Sequence, residues 1–491
     1  MEMTTPTLIT FIVYLIGMLA IGLVAYKMTS NLSDYVLGGR RLGPGVAALS
    51  AGASDMSGWL LLGLPGAVYA AGMNQIWIGV GLTIGAYLNW QFVARRLRIY
   101  TEVAKDSITV PDYLENRFHD HTKILRVVSA LVILLFFTFY TSSGMVAGAT
   151  LFEKSFGMSY STALWVGGLV IVSYTFLGGF LAVCWTDFVQ GLLMFLALIV
   201  VPMVVVSADG GWGETVAQVG AINPNYLDAF YDMSLFGIIS LMAWGLGYFG
   251  QPHIIVRFMG IRYAREVPMA RFIGITWMVL ALFGAIFTGF AGIAYFSDQP
   301  LENAETVFIT LSQVLFNPWI AGILLAAILS AVMSTIDSQL LVSSSALTED
   351  FYKAIIRPGA SDKELVWVGR ATVAGIALIA LLLARDPETT VLGLVSYAWG
   401  GFGAAFGPII ILSLFWKRMT RWGAVAGIVV GALTVLIWKP LSGGLFDMYE
   451  ILPGFILCTL AVVVVSLLER PPLSVQEEYD RFSWAVGERF R

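Results

Sequence analysis

Asp55 is the residue of this chain that points most directly to chemistry. It lies in residues 51–59, Ala-Gly-Ala-Ser-Asp-Met-Ser-Gly-Trp, within a segment apolar enough to lie inside a lipid bilayer. A carboxylate at that depth costs about 2.5–3.5 kcal/mol on insertion scales, so such a residue usually has a partner or a function. The flanking glycines and serines let a helix unwind where its backbone faces a cavity. A broken helix that carries a buried acid therefore favours a cation site.

A second interruption is predicted in the apolar segment 234–256. Its residues 244–252 read Trp-Gly-Leu-Gly-Tyr-Phe-Gly-Gln-Pro, and such a density of glycine and proline should break a helix in mid-membrane. Trp244 and Tyr248 are four residues apart and share one helical face. The alternative interpretation is that small residues here only let helices pack closely. Two such breaks, each opening one of two inverted repeats, are typical of a transporter whose site lies between the repeats.

Hydroxyl side chains in a third segment could complete a cation site. Ser334 and Thr335 are adjacent, and Ala331 lies one turn before Ser334 on the same helical face. Sodium is a hard cation that prefers oxygen ligands. The two hydroxyls, the Ala331 carbonyl and carbonyls freed near Asp55 would supply about five oxygens, by the logic that applies to other hard ions. The alternative is that Ser and Thr bond back to their own helix.

Composition limits the class of protein that can carry these residues. The chain has 491 residues, of which 58% are hydrophobic and 12% charged, whereas soluble globular domains have about 25% charged residues. Two cysteines and three scattered histidines predict neither a disulfide framework nor a metal cluster. We find no nucleotide-binding glycine loop, no catalytic motif and no cleavable signal peptide. A transporter, a channel or a membrane sensor remains, with the lipid bilayer as a partner and no nucleic acid.

Apolar segments of about 20 residues predict an all-α membrane protein with about thirteen spans. Their boundaries are 6–26, 45–64, 72–94, 127–150, 160–180, 188–206, 234–256, 272–295, 317–345, 371–384, 392–415, 422–438 and 451–468. With the amino terminus outside, 25 of the 28 Lys and Arg residues fall on the inner side, as the positive-inside rule requires. The exceptions are Lys154, Arg385 and Lys439. The polar tail, about 470–491, is expected on the inner side.

Three motifs give the chain a resemblance to a known family. They are Asp55-Met-Ser-Gly-Trp59, the stretch Tyr174-Thr-Phe-Leu-Gly-Gly-Phe-Leu-Ala-Val-Cys-Trp-Thr-Asp-Phe-Val-Gln190, and Ala331-Val-Met-Ser-Thr335. The chain resembles the sodium/solute symporter family over essentially its whole length, most closely the members that import proline. The resemblance implies a bacterial inner membrane protein, a single transporter domain over 1–491, and two interrupted helices. It also implies a core of five plus five spans in inverted repeats, at about 45–206 and 234–415.

The resemblance also implies roles for individual residues. Sodium would be held between the second and ninth spans by carbonyls of Ala53, Met56 and Ala331 and by the hydroxyls of Ser334 and Thr335. Asp55 would be an essential acid beside that site, Asp187 would lie on the inward exit path for sodium, and Arg40 would serve sodium coupling. The residues implied in L-proline recognition are Ser57, Gly58, Tyr140, Trp244, Tyr248 and Pro252. No cofactor is implied besides Na⁺ as the coupling ion, and the oligomeric state is left open.

Several alternatives remain at this point. Asp55 could carry a proton instead of steadying a cation, although hydroxyl ligands, which do not titrate near neutrality, favour sodium. Another amino acid or organic solute could replace proline. Aromatic residues are also common at membrane interfaces, so Trp244 could serve packing alone. A sensor would usually carry a cytoplasmic signalling module, and a channel would need a continuous pore. The role of Asp337 is not implied by the resemblance.

Overall fold

The computed structural model describes residues 4–177 and 179–488, and these residues are helical almost throughout. The first eleven helices are α1 Thr5–Lys27, α2 Leu32–Leu37, α3 Pro44–Asp55, α4 Leu64–Ala71, α5 Ile76–Leu88, α6 Arg95–Val103, α7 Val110–Arg117, α8 Ile124–Phe156, α9 Tyr160–Leu177, α10 Phe180–Ala208 and α11 Trp212–Ile222. The others are α12 Leu235–Met242, α13 Pro252–Gly260, α14 Val267–Tyr295, α15 Val307–Leu315, α16 Pro318–Ser345, α17 Asp362–Leu383, α18 Val391–Phe415, α19 Arg421–Trp438, α20 Ile451–Leu468 and α21 Leu473–Glu488. Residue 178, inside the predicted family motif, lies outside the described residues.

The all-helical membrane class predicted from the sequence is confirmed. Within the described ranges, ten helical segments are long and apolar enough to cross a membrane. Predicted spans five and seven coincide with shorter apolar helices, and span two is interrupted. The total of thirteen crossings therefore stays a prediction. The predicted span 371–384 belongs to the longer helix α17, Asp362–Leu383, since its amino-terminal turns are polar and escape a purely apolar count.

The helix around Asp55 is interrupted, as the sequence predicts. Helix α3 ends at Asp55, and Met56 leaves helical geometry with φ −79° and ψ 71°. The amide of Ser57 then donates to the Asp55 carbonyl at 2.9 Å instead of continuing the α-helical pattern to Ala53. A π-helical turn, Trp59–Gly63, leads into α4. The break therefore leaves the Ala53 carbonyl available to other partners.

The second break lies between α12 and α13. The chain passes through a 3₁₀ segment, Ala243–Gly250, and Gln251 is extended before α13 begins at Pro252. The glycines also serve close packing, because a Cβ on Gly245 would lie 2.2 Å from the Gly81 carbonyl oxygen of α5. A Cβ on Gly250 would meet the Phe402 carbonyl oxygen at 2.3 Å. Interruption and close packing, which the sequence offers as alternatives, therefore occur together in this segment.

Helices α16 and α18 form the interior of the bundle, whereas α1, α19 and α20 expose most of their apolar surface. Helix α16 packs against α3, α8 and α10, which places its central turns beside the first break. A helix that is apolar around its whole circumference is expected either in such an interior or against lipid. The interior position of α16 is what brings Ser334 and Thr335 to Ala53.

The loops predicted to lie on the inner side are joined to one another by polar contacts. The link between α2 and α3, the polar segment 95–126, the link between α18 and α19, and the carboxyl-terminal helix α21 all take part. The contacts are Arg40 with Asp106 at 2.8 Å, Asp120 with Arg421 at 3.3 Å, His119 with Glu478 at 2.9 Å and Lys417 with Asp480 at 2.7 Å. These elements therefore share one face of the molecule, as the distribution of basic residues predicts.

Candidate functional site

The first part of the site lies where the α3 break meets α16. The Ser334 hydroxyl donates to the Ala53 carbonyl at 2.8 Å, and the Thr335 hydroxyl lies 3.4 Å from the same oxygen. Ser334 Oγ is also 3.2 Å from the Ala331 carbonyl of its own helix. All four residues are buried. The structure therefore brings together four residues of the predicted sodium set, with two hydroxyls and two carbonyls in mutual contact.

Asp55 joins the two interrupted helices. Its carboxylate is 2% exposed and accepts a hydrogen bond from the Tyr248 hydroxyl of the second break. The other carboxylate oxygen, Oδ1, has no hydrogen-bond partner among the described residues. A buried carboxylate oxygen without a partner carries a large desolvation cost. The Asp55 carboxylate is therefore suited to receive a positively charged group of a ligand or a passing cation.

Aromatic rings surround this junction. The Trp244 ring lies 6.1 Å from that of Trp59 and 5.2 Å from that of Tyr449, between centroids. The Tyr248 ring meets that of Trp399 edge to face at 5.0 Å. Trp399 also donates its indole N–H to the Trp244 carbonyl at 2.7 Å, which satisfies a backbone group inside the break. Trp244 and Tyr248 are thus both held by aromatic neighbours, and Tyr248 contacts Asp55 directly.

The other residues of the predicted proline set take different positions. Tyr140 of α8 is fully buried and lies beside Ser57 and Asp55. Ser57 Oγ accepts from the Trp59 amide at 3.3 Å. Gly58 faces protein, because a Cβ there would lie 2.7 Å from that of Ala147 in α8.

Pro252 is buried and opens α13. It lines a narrow cavity of about 20 Å³ that also contacts Thr109 and Asp350, on the face that carries the joined loops.

His253 is a residue of this region that sequence reasoning missed. It follows Pro252 directly, is fully buried, and its ring meets Tyr140 at 5.7 Å and Phe137 at 5.4 Å, both edge to face. Neither ring nitrogen has a hydrogen-bond partner among the described residues. The sequence signal was available, because an ionisable residue at membrane depth is a functional candidate even without a second metal ligand.

Asp187 belongs to a buried cluster one helical turn from the hydroxyl site. Its Oδ2 accepts from the Ser50 hydroxyl at 2.7 Å and from the Arg257 guanidinium at 3.2 Å. Arg257 also donates to Ser338 at 2.6 Å and to the His253 carbonyl at 2.7 Å. Ser338 lies one turn after Ser334 and donates to its carbonyl at 2.8 Å. The cluster thus ties α3, α10, α13 and α16 together.

Arg40 lies on the face that carries the joined loops, away from Asp55. Its guanidinium donates to Asp106 at 2.8 Å, to the Ser107 carbonyl at 2.8 Å and to the Met259 carbonyl at 2.7 Å. Burial lowers the pKa of Arg40 from its usual value, and the carboxylate of Asp106 opposes that shift. Because Met259 is near the carboxyl-terminal end of α13, Arg40 holds that end of the second interrupted helix.

Two interrupted helices that meet at a buried carboxylate, inside a bundle of membrane-crossing helices, are typical of a secondary transporter. Residues 35–431 match the Sodium:solute symporter family. Since the match covers most of the chain, the protein belongs to this family of transporters.

Individual relatives are similar over nearly the whole chain. The sodium/proline symporter of Escherichia coli strain K12 is 56% identical over 484 residues, which covers 97% of this chain and 96% of that protein. The high-affinity proline transporter PutP of Bacillus subtilis strain 168 is 58% identical over 458 residues, covering 93% and 96%. A solved Na⁺-coupled sialic acid symporter, in a substrate-bound outward-open state, has a TM-score of 0.81 at 19% identity and covers 95% of this chain and 99% of its own. This last likeness shows the fold alone.

Proposed function

We propose that this protein imports L-proline together with Na⁺ by alternating access. The observation that carries the proposal is the junction of the two breaks, where Tyr248 donates to Asp55 and the freed Ala53 carbonyl meets Ser334. Broken helices of this kind place ion and solute sites near the bilayer midplane. The curated names of the relatives from E. coli and B. subtilis support proline as the solute.

Sodium would bind between α3 and α16. The Ser334 and Thr335 hydroxyl oxygens lie 2.8 and 3.4 Å from the Ala53 carbonyl, close enough for all three to face one small cation once the hydroxyl protons turn away. The carbonyls of Met56 and Ala331 would complete a set of neutral oxygens. Bound sodium would thereby fix the α3 break against α16, and this differential contact would favour the proline-competent state.

Proline would bind beside the sodium site, among Tyr140, Trp244 and Tyr248. Its apolar ring suits their aromatic faces, and its secondary ammonium suits both these faces and the unpartnered Oδ1 of Asp55. Its carboxylate needs donors, which half-helix amino termini supply through free N–H groups. The ring of His253, beside Tyr140, is a further hydrogen-bonding group within the same region.

The exit of sodium would pass the cluster of Asp187 and Arg257. Asp187 Oδ1 has no hydrogen-bond partner among the described residues and lies in the cluster one turn from Ser334, so it could receive the departing ion. Arg40 would couple this step to the inner end of α13. The shared loop face would be cytoplasmic, the amino terminus periplasmic, and the five-span units 45–206 and 234–415 would form the inverted repeats in the bacterial inner membrane.

The energy available from one sodium ion suits this role. Its entry along a potential of about 100 mV releases about 2.3 kcal/mol. A tenfold sodium gradient adds about 1.4 kcal/mol. At one-to-one coupling, these two contributions together would maintain a proline concentration roughly several hundredfold higher inside than outside.

The test is uptake of radiolabelled proline into proteoliposomes that contain the purified protein, with sodium and proton gradients imposed separately. We expect an inward sodium gradient to drive accumulation and a proton gradient alone to drive none. Proline accumulation driven by a proton gradient would instead mean that the coupling ion is the proton and that Asp55 carries it. Saturable sodium-driven uptake of another solute, without competition by proline, would replace proline as the substrate.

A further inference from the structure

A large cavity lies apart from the transport site, at one end of helices α1 and α17. Its volume is about 600 Å³. Its walls come from the last turn of α1 with Lys27, from α2 with Tyr35, from Gly179 at the start of α10, and from the first turn of α17 with Asp362. None of these residues belongs to the proposed sodium or proline sites.

The cavity carries an excess of positive charge. Its charged lining residues are the bases Lys27, Lys363 and Arg370 and the single acid Asp362. Thr29 and Ser30 add hydroxyl groups to the lining. A concave site with several bases, one acid and hydroxyl donors favours an anion, and phosphate oxygens are well matched to arginine and lysine donors.

Arg370 gives the cavity a fixed donor. It is 9% exposed, and its guanidinium lies 5.1 Å from the ring centroids of both Tyr26 and Trp367. Its Nε has no hydrogen-bond partner, and none of the salt bridges among the described residues includes Arg370. The other arginines that are buried in the described ranges each donate to a carboxylate or a carbonyl, although some of their N–H groups also lack an acceptor; they are Arg98, Arg117, Arg126 and Arg257. Arg370 differs because it has no such acceptor at all among the described residues, which points to a missing anionic partner.

The position of the cavity identifies the kind of anion. Both α1 and α17 are candidate membrane spans, and the cavity lies at the end of each, so lipid headgroups would surround it if both helices cross the bilayer. The exposed aromatic rings of Tyr26 and Trp367 suit that interface. One turn deeper, α1 exposes the apolar side chains of Leu23 and Val24, which suit acyl chains. A free phosphate would contact only the basic residues of the cavity and would make no use of the aromatic and apolar side chains beside it.

We propose that the cavity binds the headgroup of an anionic phospholipid, with its phosphate between Arg370 and Lys363. Basic pockets between membrane helices on the cytoplasmic side are suited to such lipids. The lipid would touch Gly179, which precedes the helix that carries Asp187, and Tyr35, in the helix that precedes Arg40. The site does not depend on the identity of the transported solute.

The experiment is native mass spectrometry of the delipidated full-length protein, titrated with phosphatidylglycerol, with phosphatidylethanolamine and with inorganic phosphate. We expect one tight phosphatidylglycerol per chain. The double variant K27Q/K363Q, which removes two exposed lysines, should bind phosphatidylglycerol about 30-fold more weakly, because the loss of each base is expected to weaken binding about fivefold. R370Q should lose the bound lipid as well.

The matched control is R385Q. Arg385 lies 5.9 Å over the Trp165 ring just beyond the opposite end of α17 and lines no part of the cavity, so its loss should leave lipid binding unchanged. Equal phosphatidylglycerol affinity in wild type and K27Q/K363Q would overturn the proposal. Equal binding of phosphatidylethanolamine would also overturn it. Competition by inorganic phosphate at concentrations equal to those of the lipid would mean that a free anion, and no lipid, is the ligand.

Discussion

The buried pair of Asp187 and Arg257 offers a sharp test of how helices α3, α10, α13 and α16 are held together. Both side chains are fully inaccessible to solvent, and the pair is 3.2 Å apart. Removing one partner of such a pair leaves an uncompensated buried charge and typically costs about 3–5 kcal/mol. In Asp187→Asn, Arg257 keeps Ser50, Ser338 and the His253 carbonyl as acceptors. We therefore expect Asp187→Asn to lower the free energy of unfolding by about 3 kcal/mol, near the lower end of that range.

The measurement is the free energy of unfolding in mixed detergent micelles, for both single variants and for the double variant Asp187→Asn with Arg257→Gln. The double variant removes both charges of the pair, so its loss should be smaller than the sum of the two single losses by about 2 kcal/mol. The exposed pair Lys417 and Asp480 is the control, and its disruption should change stability little because solvent screens it. Additive losses at positions 187 and 257 would refute the reasoning.

A transport assay on Asp187→Asn distinguishes an effect on protein stability from an effect on the release of sodium. Net uptake requires sodium to leave on the inner side, whereas exchange of labelled for unlabelled proline at saturating sodium on both sides does not. We expect net uptake to slow more than exchange does. An equal reduction of both rates would remove Asp187 from the exit path and leave it a role in stability alone.

Four further substitutions test the binding sites. Asp55→Asn should abolish sodium-driven uptake in vesicles, and near-normal transport would remove Asp55 from the mechanism. Ser334→Ala should raise the sodium concentration for half-maximal uptake much more than Ser57→Ala does; equal effects would argue against separate ion and solute sites. Tyr248→Phe keeps the ring but removes the donor to Asp55. Because hydrogen bonds to charged groups contribute about 1.5–3 kcal/mol, proline affinity in a binding assay should fall at least about tenfold. His253→Phe should weaken proline binding while leaving the sodium dependence of binding unchanged, and an altered sodium dependence with unaltered proline affinity would reverse that assignment.

The all-helical membrane class followed from the sequence because its causes are local, whereas the thirteen crossings and their orientation stay predictions. A run of about 20 apolar residues can be counted along the chain. The basic residues sort by loop, and the contacts of Asp120 with Arg421 and of His119 with Glu478 join loops that this rule had already assigned to one side. Helix α17 begins at Asp362, before the predicted span 371–384, which is short for a full crossing and could therefore begin several residues earlier. Its first turns carry charged residues that an apolar count excludes.

The two helix breaks also followed from the sequence, although the packing partners of their glycines did not. Glycine and proline density marks an interruption in any context. That Gly245 packs against the backbone of Gly81, and that Gly58 packs against Ala147, depends on helices distant in sequence. Those contacts are set by how the helices are rotated and how deeply they lie against one another, which no local pattern records.

Local patterns were enough to predict a helical membrane protein with an acid and two hydroxyls inside apolar segments, because apolar length, charge placement and helix-breaking residues act within a few turns. The partners of these polar groups depend on the packing of distant helices. Tyr248 reaches Asp55 across 193 residues, Ser334 reaches Ala53 across 281, and Arg257 meets Asp187 across 70. Helix packing selects one pairing among many that the same residues would allow, and the free energy of burying each polar group makes that pairing the stable one.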